Sequence, residues 1–287
     1  MLTQTRLQVR ISSGGCTDVG RVRTNNEDAY RVVAPLNLFV LSDGMGGEAH
    51  GEVASALAVE TVSNHCLEGG NDPSADFFGT RRGDLSERTN RLASAVQLAN
   101  RKIFESASLN PQQRGMGATV TALWLDGTRM SVAHVGDSRA YLLRTGALEQ
   151  LTRDHSLVAE QVRRGILTPQ QADRSEMQSV LIRALGTQED VEVDADEFSM
   201  MDGDTVLLCS DGLTRMVTDP EIASTLLMQP DAQSAAERLV TLANEYGGED
   251  NVTVVVVNLQ PASNGFFGRL RRWIRLPPDV PASGGGN

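Results

Sequence analysis

Runs of apolar and β-branched residues predict the strands of this chain. Such runs occupy residues 28–42, 118–136, 139–144, 191–198, 204–209 and 252–259. Within them the apolar side chains either alternate with polar ones or follow one another in β-branched stretches, and both patterns are typical of strands. We expect these segments to pair in sheets.

Three longer segments predict helices, because apolar residues recur in them at spacings of three and four. They read GEVASALAVETVSNHCLE at 51–68, SERTNRLASAVQLANRKIFESA at 86–107 and PDAQSAAERLVTLANEYG at 230–247. The first two helical segments form a pair with no strand between them, and groups of consecutive strands, rather than single strands, separate the pair from the third. This order favours antiparallel sheets covered by helices over a doubly wound parallel sheet.

Two segments depart from this alternation of strands and helices. Residues 152–190 are polar and contain TPQQADRSEMQS, which predicts a flap inserted between strands. After Pro261 the chain reads ASNGFFGRLRRWIRLPPDV, where apolar side chains fall on one helical face with arginines around it. The apolar set is Phe266, Leu270, Trp273 and Ile274, and the basic set is Arg269, Arg271, Arg272 and Arg275. A short basic amphipathic helix of this kind binds an anionic membrane surface or a partner, or packs back on its own domain.

Composition narrows the classes of protein to which the chain can belong. Its 287 residues, 40% of them hydrophobic, are enough for one large domain with a core, or for a domain and a tail. The formal charge of -11 argues against a surface that binds nucleic acid. The three cysteines show no CxxC spacing, and the longest apolar run, 252–257, is too short to span a bilayer. We therefore expect a cytoplasmic protein, with the tail as its point of peripheral membrane contact.

Acidic residues lie where the apolar strands begin or end. Asp43 ends FVLSD, Asp137 ends MSVAHVGD, Asp211 ends VLLCSD, Asp250 precedes NVTVVVV, and Glu27 and Asp28 close RTNNED. A single aspartate at such a position is usually a helix N-cap or a turn residue. Burying several of them together is unfavourable unless cations balance their charge. Oxygen ligands suit Mg²⁺ or Mn²⁺ rather than Zn²⁺.

Two such ions, about 3.5–4 Å apart, would clamp a phosphate group and acidify a water molecule between them. Arg23, just upstream of Glu27, would add bidentate binding of phosphate oxygens. The acids and this arginine together indicate phosphate chemistry.

Seven motifs carry a resemblance to a known family. In chain order they are VGRVRTNNEDAY, LSDGMGGEAHGEVAS, GMGATVTAL, VGDSRAYLL, LTRDHS, LCSDGL and GGEDNVTVVVV. The chain resembles the bacterial metal-dependent serine/threonine protein phosphatases of type 2C (PPM type) over residues 7–260. The resemblance implies an α+β fold, a four-layer α-β-β-α sandwich of two antiparallel sheets flanked by helix pairs. The flap at about 152–190 would belong to this catalytic domain, and 261–287 would form the tail.

The same resemblance implies a role for each site residue. Asp43 would bridge two Mn²⁺ or Mg²⁺ ions; the Gly44 carbonyl and Glu27 would complete one site, and Asp211 and Asp250 the other. Asp137 would help to hold a third, weaker ion. Arg23 would bind the substrate phosphate.

One position departs from the pattern of the family. Some relatives carry a histidine after the DG pair, which is thought to protonate the leaving group, but this chain has Met45 there. We therefore assign no histidine as general acid. His155, in LTRDHS, is interpreted as a structural residue rather than a catalytic one.

The predicted function is hydrolysis of phosphoserine and phosphothreonine on proteins, in one step, by a metal-activated water and without a covalent enzyme intermediate. We expect a monomer that opposes a bacterial serine/threonine kinase and binds no nucleic acid. The alternative is a catalytically weak phosphopeptide-binding module of the same fold. Such a module would have lost acids, whereas every expected ligand is present here.

Overall fold

The computed structural model describes residues 9–46, 50–71, 76–172 and 174–261. The amphipathic helix predicted for the tail lies outside these ranges. Within them, no helix combines the length and the apolar character that crossing a membrane requires.

The described residues form two antiparallel sheets. The first sheet has the order β1 (Val9–Asp18), β11 (Val252–Pro261), β10 (Thr205–Cys209), β7 (Arg139–Arg144) and β8 (Ala147–Gln150). The second has the order β2 (Asp28–Val33), β3 (Leu38–Met45), β5 (Val120–Asp126), β6 (Arg129–Val135) and β9 (Asp194–Ser199), with the short β4 (Gly117–Ala118) paired to β3.

Helices cover the outer faces of both sheets. On the second sheet lie α1 (His50–Asn71) and α2 (Glu87–Leu109). On the first sheet lie α5 (Asp211–Thr214), α6 (Asp219–Met228) and α7 (Ala232–Glu245). The order helix, sheet, sheet, helix confirms the predicted four-layer α+β fold.

Both faces of each sheet are buried, which explains the unbroken apolar runs of the central strands. In β3, Leu38 and Val40 pack in the cluster under α1 and α2, whereas Phe39 and Leu41 pack in the cluster between the sheets. The side chains of β11 divide in the same way between α7 and the space between the sheets. For this reason the apolar run of β3 is unbroken from Leu38 to Leu41, and polar residues follow only towards the end of the strand.

β1 and the short elements β8, α5 and α6 have no counterpart among the predicted segments. β1 pairs with β11 along its whole length, although Gly14 and Gly15 interrupt its pattern. A Cβ atom on Gly14 would lie 2.3 Å from the Cα of Gln233 in α7. The glycine is needed because a helix crosses the strand at this point, and that contact leaves no signal in the neighbouring residues.

The segment predicted as a flap contains two short helices, α3 (Leu157–Arg163) and α4 (Pro169–Ala172). Isolated bridges join Ser156 to Leu181 and Ala118 to Leu185. The N–H of Leu185 donates to the Ala118 carbonyl at 2.8 Å. The two ends of the segment therefore lie side by side, and its last part pairs with β4.

Candidate metal centre

One cavity of about 370 Å³ lies where β3, β6 and β10 end and β11 begins. Two residues of the flap, Ser179 and Leu181, form part of its wall. The structure brings every residue of the predicted site to this cavity: Arg23, Glu27, Asp43, Gly44, Asp137, Asp211 and Asp250. Their shared position is a finding, and the role of each stays a prediction.

The main chain and a buried hydroxyl group hold Asp43. In the register of β2 and β3, Asp43 lies opposite Asp28. The N–H of Asp43 donates to Oγ1 of Thr119 at 2.9 Å, and the N–H of Thr119 donates to the carbonyl of Asp43 at 2.8 Å. Oγ1 of Thr119 also lies 2.7 Å from Oγ of Ser138. The Asp43 backbone is therefore fixed before any ligand binds.

A glycine follows two of the acids because main chains cross there. A Cβ atom on Gly44 would lie 2.1 Å from the carbonyl oxygen of Gly51, at the start of α1, and 2.6 Å from that of Glu27. A Cβ atom on Gly212 would lie 2.0 Å from the carbonyl oxygen of Asn251. Any side chain at either position would separate segments that bring acids to the cavity.

Burial and mutual repulsion disfavour the ionised form of the acids in and beside the cavity. Burial raises the pKa of Asp43 well above its usual range, and the nearby carboxylates of Asp28 and Asp211 raise it further. Burial also raises the pKa of Asp28 to about 7 and that of Asp137 to about 8. A bound cation would stabilise the ionised form of all these groups.

Two carboxylate oxygens beside the cavity are buried and have no hydrogen-bond partner among the described residues: Oδ1 of Asp28 and Oδ1 of Asp211. The other oxygen of Asp28 accepts from Oγ of Ser210 at 2.8 Å. A buried acceptor without a partner costs about 1–3 kcal/mol. Unpaired carboxylate oxygens are the ligands that Mg²⁺ and Mn²⁺ prefer, so the residues fit the metal that was predicted.

Two arginines pair with the acids on one side of the cavity. Nη2 of Arg23 lies 2.9 Å from Oδ2 of Asp250. Nη2 of Arg215 pairs with Oδ2 of Asp211, and its Nη1 lies 3.5 Å from Oδ2 of Asp250. With the side chains so placed, no group of three or more Asp, Glu, His or Cys residues in the described part of the chain is arranged to hold an ion.

The structure adds two residues to the predicted set. One of them is Asp28, which had no role assigned although it directly follows Glu27. Its place opposite Asp43 depends on strand register.

The other is Asn251, whose Oδ1 accepts from the N–H of Glu27 at 2.8 Å and whose Nδ2 donates to the carbonyl of Asn25 at 2.8 Å. Asn251 thus fixes the loop that carries Arg23 and Glu27. Its only sequence signal is its place directly after Asp250.

The buried His155 supports the chain next to Asp137. Its ring Nδ1 accepts from the main-chain N–H of Gly136 at 3.0 Å. The main-chain N–H of His155 donates to the Gly136 carbonyl at 2.7 Å. The His155 carbonyl accepts from the N–H of Ile182, which joins the first residues of the flap to its last part. His155 does not line the cavity described above, which agrees with its interpretation as a structural residue.

Comparison with known proteins identifies the family. A sequence profile described as protein phosphatase 2C matches residues 20–249. The chain belongs to the protein phosphatase 2C family. The predicted family is therefore confirmed.

Named relatives in this family are serine/threonine phosphatases. The chain is 40% identical over 243 residues to PstP of Mycobacterium tuberculosis and 38% identical over 244 residues to Stp of Listeria monocytogenes. These matches cover 85% and 84% of this chain, 44% of PstP and 93% of Stp. The chain thus spans less than half the length of the mycobacterial relative.

Solved structures of the family share the fold. The catalytic domain of PstP in complex with two manganese ions matches with a TM-score of 0.75 and 37% sequence identity, covering 88% of this chain and 100% of that one. PppA of Pseudomonas aeruginosa matches with a TM-score of 0.72 and 31% identity, covering 87% and 97%.

Proposed function

We propose that this chain is a metal-dependent phosphatase that removes phosphate from phosphoserine and phosphothreonine in proteins. The observation that carries the proposal is the convergence of strand-end acids and an arginine on one cavity, in a protein phosphatase 2C fold. The phosphatase names of the relatives support the same activity.

The proposed cofactors are two Mn²⁺ or Mg²⁺ ions, with a third ion bound more weakly. Asp43 would contact both core ions, Gly44 and Glu27 one of them, and Asp211 and Asp250 the other; Asp137 would hold the third together with Asp211. When bound, such ions lower the pKa of water and offset the negative charge of the phosphate.

Arg23 is the side chain that would bind the phosphate group of the substrate. The Arg23 side chain is 54% exposed, and its ion pair with Asp250 holds the guanidinium group at the cavity. Its planar group matches two phosphate oxygens, so Arg23 would orient the substrate.

Burial raises the pKa of Cys66 and of Cys209 to about 12, so neither thiol would act as a nucleophile in a covalent route.

Phosphate release from a phosphothreonine peptide tests the proposal. We expect protein stripped of metal by a chelator to be inactive and to gain activity when Mn²⁺ is added. Asp43→Asn, assayed in parallel, should remain inactive and so exclude a contaminating phosphatase. Activity that does not depend on metal would contradict the proposal.

The alternative function, a phosphopeptide-binding module, makes the opposite prediction in this assay. It would retain the labelled phosphopeptide in a binding measurement without releasing phosphate at any Mn²⁺ concentration. The unpaired oxygens of Asp28 and Asp211 favour the enzyme, because phosphopeptide binding alone does not require them.

We propose in addition that the substrates are targets of a bacterial serine/threonine kinase whose action this phosphatase reverses, and that the chain acts as a monomer. Phosphoproteomics of a deletion strain should show increased phosphorylation on a defined group of serine and threonine sites. An unchanged phosphoproteome would contradict the kinase relationship.

We further propose that the tail brings the protein to an anionic membrane surface, because its sequence combines an apolar face with arginines. Co-sedimentation with anionic liposomes tests this. Full-length protein should sediment with them, whereas a variant with Arg269, Arg271, Arg272 and Arg275 changed to Gln should stay in solution. Equal binding of the two proteins would contradict a membrane role for these arginines.

A further inference from the structure

Arg215 connects two acids that reach the cavity from different parts of the chain. It follows α5 and lies four residues after Asp211, with which it pairs, and it also approaches Asp250 at the start of β11. The side chains of Asp211 and Asp250 are only 14% and 19% exposed, and that of Arg215 is 26% exposed. This pairing is therefore screened less by solvent than an ordinary surface ion pair.

The two acids that Arg215 contacts are those assigned to the same metal ion. Its Nη2 pairs with Oδ2 of Asp211, and its Nη1 lies 3.5 Å from Oδ2 of Asp250, which Arg23 also contacts at 2.9 Å. An ion that took these oxygens as ligands would have to displace the guanidinium group of Arg215, because the two cations would otherwise repel each other at short range.

We propose that Arg215 is a built-in counter-ion of Asp211 and Asp250, which competes with the metal ion and thereby sets the metal affinity of this half of the centre. The inference rests on the proposed function, because it assumes that these acids bind metal. Asp43, by contrast, forms no ion pair with an arginine or lysine in the described part of the structure. The competition is therefore confined to one side of the cavity.

A second cavity gives Arg215 a place to move when the ion binds. This cavity, of about 740 Å³, adjoins the first and is also lined by Arg215 and Asp211. Asp137 and Asp219 lie in its wall, as does Asp154, which already pairs with Arg139 at 2.7 Å. A displaced guanidinium group would therefore remain near carboxylates, and the exchange would leave no buried positive charge unpaired.

The proposal predicts opposite effects of Arg215 on the metal-free and the metal-bound protein. Without metal, the arginine stabilises the fold by balancing two partly buried acids. With metal present, the ion must overcome this pairing before it binds. Removing the arginine should therefore tighten metal binding and destabilise the metal-free protein.

Calorimetric titration of the metal-stripped full-length protein with Mn²⁺ measures the first effect. We expect Arg215→Gln to bind Mn²⁺ about fivefold more tightly than the wild type, the ratio that corresponds to loss of one ion pair. Arg215→Lys, which keeps the charge on a shorter side chain, should have an intermediate affinity. Arg238→Gln removes the same charge from a surface pair with Glu245 and should bind as the wild type does.

The outcomes separate this inference from the proposed function. Equal or weaker Mn²⁺ binding by Arg215→Gln would overturn the inference and leave the function intact. Absence of Mn²⁺ binding in the wild type and every variant would overturn the proposed function. Thermal unfolding is the second measurement: the melting temperature of the metal-free Arg215→Gln protein should fall below that of wild type, and its rise on adding Mn²⁺ should be larger. If Arg215→Gln does not fold, the same comparison with Arg215→Lys decides.

Discussion

The two sides of the metal centre are built on different principles. Asp43 lies at the end of a central strand, where its backbone is bonded to Thr119 and its carboxylate has no arginine or lysine partner among the described residues. Asp211 and Asp250 lie at the start of a short helix and of a strand, and arginines pair with both. Among the described residues, one side therefore has no cationic side chain paired with its acid, whereas the other has two arginines.

This difference indicates that the two sides of the candidate metal centre would bind metal in different ways. The strand side offers Asp43, whose backbone is fixed and whose pKa is raised. A bound metal ion would lower this pKa because it stabilises the ionised carboxylate. The arginine side exchanges one cation for another, so its affinity can be adjusted without changing a ligand.

The largest effect is expected when the strand-side carboxylate is removed. Asp43→Asn should lower phosphatase activity by at least about a thousandfold at any Mn²⁺ concentration, since metal ions supply several kcal/mol of transition-state stabilisation. Asp250→Asn, which would remove a ligand of only one of the proposed ions, should recover part of its activity in excess Mn²⁺. Steady-state assays across a Mn²⁺ titration measure both. Equal, modest losses in the two variants would refute the bridging role of Asp43.

The second-largest effect, the loss of activity on removing the Asp137 carboxylate, should depend on the substrate. Asp137 is 8% exposed beside the cavity, and Met45 provides no proton donor there. If the third site supplies the proton to the leaving group, Asp137→Ala should lose about a hundredfold on a phosphothreonine peptide, within the range known for general acid catalysis. The loss on p-nitrophenyl phosphate should be far smaller, because nitrophenolate leaves without a proton. Equal slowing of both substrates would place the source of the proton elsewhere.

The third effect separates the support of Asp43 from general stability. Thr119→Val and Thr121→Val both remove a buried hydroxyl group that has partners on β6 or the residues after it. Each should lower the free energy of unfolding by about 1–3 kcal/mol, measured by urea denaturation. Only Thr119 accepts from the N–H of Asp43, so only Thr119→Val should also lower activity at saturating Mn²⁺, by about tenfold or more. Similar activity in both variants would show that strand pairing alone positions Asp43.

The smallest effect is the pH dependence of the metal-free protein. Asp28 and Asp137 have folded-state pKa values of about 7 and about 8, above the unfolded value of about 3.9. Between pH 6.5 and pH 8 the folded state therefore binds more protons than the unfolded state, and stability falls as pH rises. His134, whose pKa burial lowers to about 4, has the opposite effect only below about pH 6.5, where the unfolded state takes up its proton.

We expect the melting temperature of the chelator-treated protein to be lower at pH 8 than at pH 6.5. Saturating Mn²⁺ should remove or reverse this difference, because the ion binds the ionised acids. Asp28→Asn should reduce the slope and serves as the matched control. A melting temperature that rises over this interval in the absence of metal would contradict the raised pKa values.

Much of the fold and of the site was predictable from short stretches of sequence. The apolar run of β3 predicts a strand buried on both faces, and the polar residue that ends it marks the edge of the sheet. The spacings of apolar residues in α1, α2 and α7 predict their helices for the same local reason. The motifs also indicated which acids belong together, and the structure brings them all to one cavity.

The tertiary structure decided what depends on contacts between distant positions. Gly14 reads as a break in a strand until α7 is seen to cross it. Arg23 and Asp250 form an ion pair although 227 positions separate them, and Glu27 and Asn251 are 224 positions apart. Local patterns record which face of an element is buried, because burial repeats with the period of a strand or a helix. They do not record which side chain of a distant segment meets that face, so the pairing of Arg215 with both acids, and the asymmetry of the metal centre that follows from it, emerges only when the chain is folded.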